Sequence, residues 1–244
     1  RNFKAEKEKQ MNEYIQSIPS KNNKICLAIF MDGTSSVQHY MTMCRKVVSK
    51  LAILLKSNFE NLELNIVVVI YRDPLEEDGG SHETLTTCEI EDFTSFMENV
   101  RAYGGGDEAE DVNGGMVLLN GELESQAKDQ TLIVAHILDD AAHGYSTVSD
   151  NHATDEQREA LRAQLCRLVD IGLQFADFEF HLYALRERLQ TLYTPFLKAT
   201  IREHLPSTVD FDGMFREMDA KNDFGSNFMK TTFATSIKSV RFEG

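Results

Sequence analysis

KICLAIFMDGTSSV, residues 24–37, is the stretch on which the reading of this chain turns. Residues 24–31 form a continuous apolar run, the pattern of a strand buried on both faces of a sheet. The run stops at Asp32, Gly33, Thr34, Ser35 and Ser36, four of which carry oxygen-bearing side chains. An aspartate at the end of a buried strand can attack a phosphate, hold a cation or bind the amides of a turn. The rest of the chain decides among these.

Working outward, apolar residues at helical spacing follow over 37–57: Met41, Cys44, Val47, Val48, Leu51, Leu54 and Leu55. Residues 64–71 are β-branched and continuous, a second strand of parallel-sheet type. A weaker, alternating strand is expected over 85–90. Helices are expected over 92–100 and 111–123, with the glycine-rich YGGGDEAED loop between them. Residues 130–138 form a third buried strand, ending in Asp139-Asp140. Thr154 and Gln157 have the spacing of a capping box, Asp155 and Glu156 suit the positive end of the helix dipole, and Gly172 is read as that helix's terminator. Residues 178–185 alternate as a strand. A helix over 186–204 is bent or split by Pro195, residues 209–212 form a short edge strand, and 227–240 a final amphipathic helix. Residues 4–18 read as a short charged helix. Strands alternating with helices predict an α/β fold: a doubly wound, mostly parallel sheet flanked by helices on both faces. No repeat or linker divides it, so one domain over 22–244 is expected, preceded by an N-terminal helical extension over 1–21.

At 244 residues, 42% hydrophobic and 26% charged, the composition is that of a globular protein with a sizeable core. No apolar run approaches the roughly 18–20 residues that span a bilayer. No signal peptide is read, and a chain beginning at Arg1 fits a piece of something longer. Cys26, Cys44, Cys88 and Cys166 show no paired spacing, which predicts free thiols in a reducing, cytoplasmic setting. The net charge of −14 is uneven: residues 72–124 hold 15 acidic side chains and two basic ones. That density disfavours nucleic acid as a partner. It suits either a solvated acidic face or a surface that draws cations or a basic partner.

Three oxygen-rich loops fall at strand ends or a helix start: residues 32–36, 104–111 and 139–140. Ligands of open α/β sheets bind at such ends. Aspartyl-phosphate chemistry would use an Asp-x-Asp-Gly-Thr pattern, but Phe30 stands where the nucleophile belongs. Walker and nucleophile-elbow motifs are absent too. A hard divalent cation fits better, since Mg²⁺ needs only a few protein oxygens and keeps waters. Asp32, Thr34 and Ser36, two residues apart, can converge on one point in a tight turn, with Asp107 and Asp139 closing the site. The competing structural reading makes Ser36 a helix cap and Asp32 an acceptor of turn amides. His39, His82 and His152 are read as solvated, His136 and His181 as packed within strands.

The Asp-x-Thr-x-Ser of Asp32, Thr34 and Ser36 resembles the metal-ion-dependent adhesion site (MIDAS) of von Willebrand factor type A (VWA) domains. Tyr71-Arg72-Asp73, the segment from Gly104 through Asp107, Glu110 and Asp111 to Val112, and that from His136 through Asp139 to His143-Gly144 resemble a narrower branch. That branch comprises the VWA domains attached to atypical, myosin-heavy-chain-kinase-like alpha-kinases. The resemblance covers residues 22–240 and implies a sheet with one short antiparallel edge strand. It implies a Mg²⁺ site, or a Ca²⁺ or Mn²⁺ site, formed by Asp32, Thr34, Ser36, Asp107 and Asp139. Gly105, Gly106, Glu110, Asp111 and His143 would support it, with Glu110 and Asp111 anchoring the next helix and His143 ordering its loop. Asp107 stands where other VWA domains place threonine. Ala141 and Ala142 occupy the place of a usual proline, and the chain has no tryptophan. The implied function is non-catalytic: a regulatory or targeting module whose cation accepts an acidic side chain from a protein partner, any kinase lying outside this chain. Two alternatives stand beside it: a structural module whose site is empty or merely stabilising, and a metal-dependent hydrolase.

Overall fold

The computed structural model describes residues 23–59, 61–73, 82–104, 109–146, 150, 154–219 and 224–241, without the side chains of 58, 219, 233 and 237–241. The expected N-terminal extension over 1–21 lies outside these residues. Chain order is β1 (Lys24–Asp32), α1 (Gln38–Asn58), β2 (Glu63–Tyr71), β3 (Glu83–Thr87), α2 (Ile90–Asn99) and α3 (Val112–Glu124). Then follow β4 (Thr131–Leu138), α4 (Asp155–Gly172), β5 (Asp177–Ala184), α5 (Tyr193–His204), the single turn α6 (Phe211–Met214), β6 (Phe215–Asp219) and α7 (Phe224–Arg241).

The strands form one sheet in the order β3-β2-β1-β4-β5-β6. All neighbours are parallel except β3, which runs antiparallel at the edge beside β2. Alternation along β1 explains why both faces are covered. Ile25, Leu27, Ile29 and Met31 join one apolar cluster, with residues of α1, α2 and α7. Cys26, Ala28 and Phe30 join the other, with residues of α3, α4 and α5. This is the doubly wound α/β fold that the periodicity predicts. Parallel strands buried on both faces need no polar side, which is why residues 24–31 read as one apolar run.

Local signals behave as their chemistry requires. Thr154 and Gln157 form the capping box, with the Thr154 amide donating to Gln157 Oε1 at 3.0 Å and the Gln157 amide to Thr154 Oγ1 at 3.1 Å. All four cysteines are free thiols, and Cys26 and Cys44 are buried. Burial pushes the Cys26 thiol up to about 12, so it packs as a small apolar group.

As expected, α4 ends at Gly172, where a Cβ would meet the Phe178 ring at 2.5 Å. Two expectations are corrected. The segment 186–204 is not one helix. A 3₁₀ turn (Glu187–Gln190) precedes α5, and Pro195 sits in the first turn of α5, where its missing N–H breaks no helical bond. The edge strand is not 209–212 but β6, a few residues later, because Asp210 accepts from the Asp212 amide and starts the turn α6.

The C-terminal helix α7 is tied to the sheet by a buried carboxylate. Glu179 on β5 accepts from His181 Nε2 at 2.9 Å, Arg216 Nε at 2.8 Å and the Thr235 hydroxyl at 2.7 Å. Burial alone would raise its pKa, but these donors bring it down to about 2. The stability that Glu179 contributes is therefore present above its ordinary carboxyl range and lost as pH falls toward about 2. Glu179→Gln should cost about 2 kcal/mol at neutral pH, the scale of hydrogen bonds to a charged group. Urea unfolding at pH 7 and pH 3 checks it, with the deficit shrinking at the lower pH.

Candidate metal site

The register of the sheet places the site. Asp32 pairs with Tyr71 across β1 and β2, and Met31 pairs with Ile137 across β1 and β4. Asp32 at the end of β1 and Asp139 just past the end of β4 thus leave the sheet side by side. Both are buried, at 0% and 3% exposure.

Each carboxylate is half satisfied. Asp32 Oδ1 accepts from the Thr34 amide at 2.8 Å and from the Thr34 hydroxyl at 2.7 Å. Thr34 Oγ1 lies 3.3 Å from Ser36 Oγ, so three side chains two residues apart form one hydrogen-bonded row. Asp139 Oδ2 accepts from Arg186 at 2.8 Å. The second oxygens, Asp32 Oδ2 and Asp139 Oδ1, are buried and find no hydrogen-bond donor among the described residues, and the two carboxyl groups lie close enough to interact directly. Burial first, and the neighbouring Asp139 charge second, push the Asp32 carboxyl up to about 8. Both sequence readings of this loop are partly realised. Asp32 does bind a turn amide through one oxygen, but its other oxygen is unused, and Ser36 makes no cap.

Gly33 is required by close approach. A Cβ there would meet Ile70 Cγ2 at 2.7 Å and Arg72 Cγ at 2.9 Å. Its amide donates to the Tyr71 carbonyl at 2.8 Å, and its carbonyl accepts from Tyr103 N and Arg72 Nε. Arg72 is buried beside it, donating to the Arg101 carbonyl at 2.9 Å, pairing with Glu83 at 2.8 Å and stacking on the Tyr103 ring. One guanidinium thereby joins the first loop to the segment entering the second.

The second loop is described only at its ends. Gly105, Gly106 and Asp107 lie outside the described residues. Glu110 is buried and bridges in parallel to Ala142, which ties this loop to the one after β4. Asp111 caps α3 by accepting from the Gly114 amide at 2.8 Å. Asp111 is thus the N-cap of α3, while Glu110 ties its loop to the one after β4. His82 is not a solvated histidine without partners. Its Nδ1 accepts from the Arg72 amide at 3.2 Å, and its Nε2 lies 3.1 Å from Asp111 Oδ2.

His143 is held between two carboxylates. Nε2 is 2.9 Å from Asp73 Oδ2 and Nδ1 is 2.9 Å from Asp150 Oδ1, so the ring donates to a carboxylate on each side. Burial opposes its charge, but hydrogen bonds to Asp73 and Asp150 prevail and raise its pKa to about 9. Gly144 follows with φ of 84°, and its carbonyl accepts from Arg158 Nε at 2.9 Å. His136 is buried in β4, its Nε2 3.2 Å from the Tyr71 hydroxyl and its ring 4.6 Å from that of Phe30. Burial lowers its pKa to about 3, so it is a neutral packing residue.

Arg186 and Arg188 were not singled out from the sequence, where they fell in an expected helix. The usable signal was their position directly after β5, at the same end of the sheet as Asp32 and Asp139. Arg186 also donates to Asp140 Oδ2 at 3.3 Å, and Arg188 pairs with the same carboxylate. Burial pushes Asp140 up to about 6 despite these arginines. Among the described residues, no three His, Cys, Asp or Glu side chains gather to form a metal-holding group. Any cation here would rest on two carboxylates and two hydroxyls, an oxygen set suited to a hard ion that keeps waters.

No protein-family model matches the chain. A weak sequence relationship links it to the alpha-protein kinase vwkA of Dictyostelium discoideum, 29% identical over 129 residues, which is 52% of this chain and 20% of the kinase. The match thus spans about a fifth of that protein. The pilus adhesin SpaC of Lactobacillus rhamnosus GG in its open conformation superposes with a TM-score of 0.58 at 10% identity, over 91% of this chain and 31% of the adhesin. A second structure of the same adhesin gives 0.60 at 8% identity, over 91% and 32%. At such identities the likeness to the adhesin is one of fold, and it covers about a third of that molecule.

Proposed function

We propose that the chain is a VWA-type interaction domain with a MIDAS-like site, in which a divalent cation recruits an acidic side chain of a protein partner. The observation that carries this reading is the pair of unpartnered, buried oxygens, Asp32 Oδ2 and Asp139 Oδ1, beside the hydroxyls of Thr34 and Ser36. Buried polar atoms in native proteins are nearly always paired, and an unpaired carboxylate oxygen at a strand end is what a cation would satisfy. Asp32, Thr34, Ser36 and Asp139 would hold Mg²⁺, or Ca²⁺ or Mn²⁺. Asp107 joins them from the sequence pattern alone. The ion would supply a positive charge that an acidic partner can meet within a negatively charged surround. The relationship to an alpha-kinase protein supports a regulatory or targeting module of a larger polypeptide, with phosphoryl transfer performed elsewhere. The free thiols favour a cytoplasmic setting, and among the described residues no helix is long and apolar enough to cross a membrane.

The ion pairs of Arg186 favour a second reading. An arginine already compensates one oxygen of Asp139, so the domain can be a structural module that folds without a cation.

Asp32→Asn separates the two. It keeps an acceptor for the Thr34 amide and removes the buried charge. In chelator the variant should melt at or above the unsubstituted protein, because an ionised Asp32 is disfavoured at pH 7. Mg²⁺ or Mn²⁺ should raise the melting temperature of the unsubstituted protein, by the equivalent of about 2.7 kcal/mol at 100-fold saturation, and leave the variant unmoved. No shift in either protein would support the structural module.

The loop carrying Asp139 also makes a pH prediction. His143 has a folded pKa of about 9, above its ordinary value of 6.5. Its stabilisation is complete below about 6.5 and is lost as pH rises through about 9. His143→Gln should therefore lower stability by about 2 kcal/mol at pH 6 and by little at pH 10, as read from denaturation midpoints across that range.

A further inference from the structure

We propose that Arg186 is a built-in counter-ion that weakens cation capture by the empty site and strengthens capture of a carboxylate by the loaded one. The inference rests on the metal-dependent reading above. Arg186 follows β5, the strand beside β4, and reaches Asp139 Oδ2 at 2.8 Å and Asp140 Oδ2 at 3.3 Å. It binds one oxygen of Asp139 and leaves Oδ1 unpartnered. Arg188 pairs with Asp140, so the charge of that carboxylate is met without Arg186. The Arg186 side chain is 40% exposed, at the rim, within reach of an arriving ligand.

Formal charges then set the sign. Asp32 and Asp139 together carry two negative charges, which a divalent cation cancels. Without Arg186 the loaded site is neutral, and a carboxylate gains little from the field around it. With Arg186, the site formed by Asp32, Asp139 and the ion has one net positive charge; Asp107 as a further ligand would lower both totals by one unit and leave the difference made by Arg186 unchanged. That matters in this chain, because residues 72–124, which include the second loop, carry 15 acidic side chains against two basic ones in the sequence. A carboxylate approaching such a surface is repelled unless a local cation exceeds what the site's own ligands need. The same guanidinium repels the cation at the moment of entry, so the two affinities change in opposite directions. Its planar fork also suits a carboxylate better than a lysine would.

The test uses Mn²⁺ alone and then acetate as the carboxylate probe. Mn²⁺ binding is followed by calorimetry, and acetate binding by the fall in water-proton relaxation as Mn²⁺-bound water is displaced. Arg186→Gln should bind Mn²⁺ about tenfold more tightly and require about tenfold more acetate, the scale of one partly screened charge at short range. Arg186→Lys, which keeps the charge, should hold Mn²⁺ within about twofold of the unsubstituted protein. Circular dichroism identifies any variant that fails to fold, and the lysine variant then carries the comparison through its acetate response, which should weaken with loss of the fork. If the unsubstituted protein binds Mn²⁺ and both variants match it for Mn²⁺ and acetate, Arg186 is a structural ion pair and the inference fails alone. If the unsubstituted protein does not bind Mn²⁺, the metal-dependent reading fails and takes this inference with it.

Discussion

Two carboxylates buried side by side repel one another and lose their hydration, and the upper end of this sheet is organised around that problem. Removing an ion from water costs several kcal/mol even after the protein relaxes. Asp32 and Asp139 recover part of that cost through one oxygen each, by way of Thr34 and Arg186 respectively. Their remaining oxygens find no donor among the described residues. The raised pKa of Asp32 expresses the strain in the arrangement. A proton, a cation or a rearranged side chain can relieve it, and these have different consequences for binding. The parallel register of β1 and β4 creates the juxtaposition, so the pair cannot separate without disturbing strands buried on both faces.

The loops above the sheet are cross-linked by backbone and charge-assisted hydrogen bonds as well as by apolar packing. Arg72 links the first loop to the approach of the second, Glu110 and Ala142 link the second to the third, and His143 clamps the third between Asp73 and Asp150. Such networks hold a loop in one geometry when every member is satisfied. They also divide the rim electrically. The acidic excess lies with the segments around β3, α2 and α3, and the arginines at 186 and 188 lie on the β5 side. At the far side of the sheet, Glu179 does a comparable job for α7, with three donors on one carboxylate oxygen.

Much of the fold was legible because its elements advertise themselves by period. Residues 24–31, 64–71 and 130–138 are largely apolar, interrupted only at Lys24, Asn65, Gln130, Thr131 and His136, and a parallel strand covered on both faces calls for that composition. The stripe from Met41 to Leu55 needs a helix to gather it. Where the reading slipped, a local residue had been given its commonest role. The edge strand was set a few residues early because nothing in 209–212 shows that Asp210 would start a turn. Pro195 was read as the bend or break of one long helix, whereas it sits in the first turn of α5, after the break.

For the site, sequence alone determined the oxygen ligands on offer and their position at strand ends: Asp32, Thr34 and Ser36 by their spacing, Asp139 by its place after an apolar run. It also argued against aspartyl-phosphate chemistry, since Phe30 stands where that pattern has its nucleophile. Tertiary structure decided which oxygens are committed and which are left over. It brought Arg186 from another strand onto Asp139, paired His143 with a carboxylate at the end of β2, and gave His82 two partners. None of those contacts has a sequence spacing to betray it. They arise from residues tens of positions apart that meet only because parallel strands end together, and local pattern carries no record of which strands become neighbours.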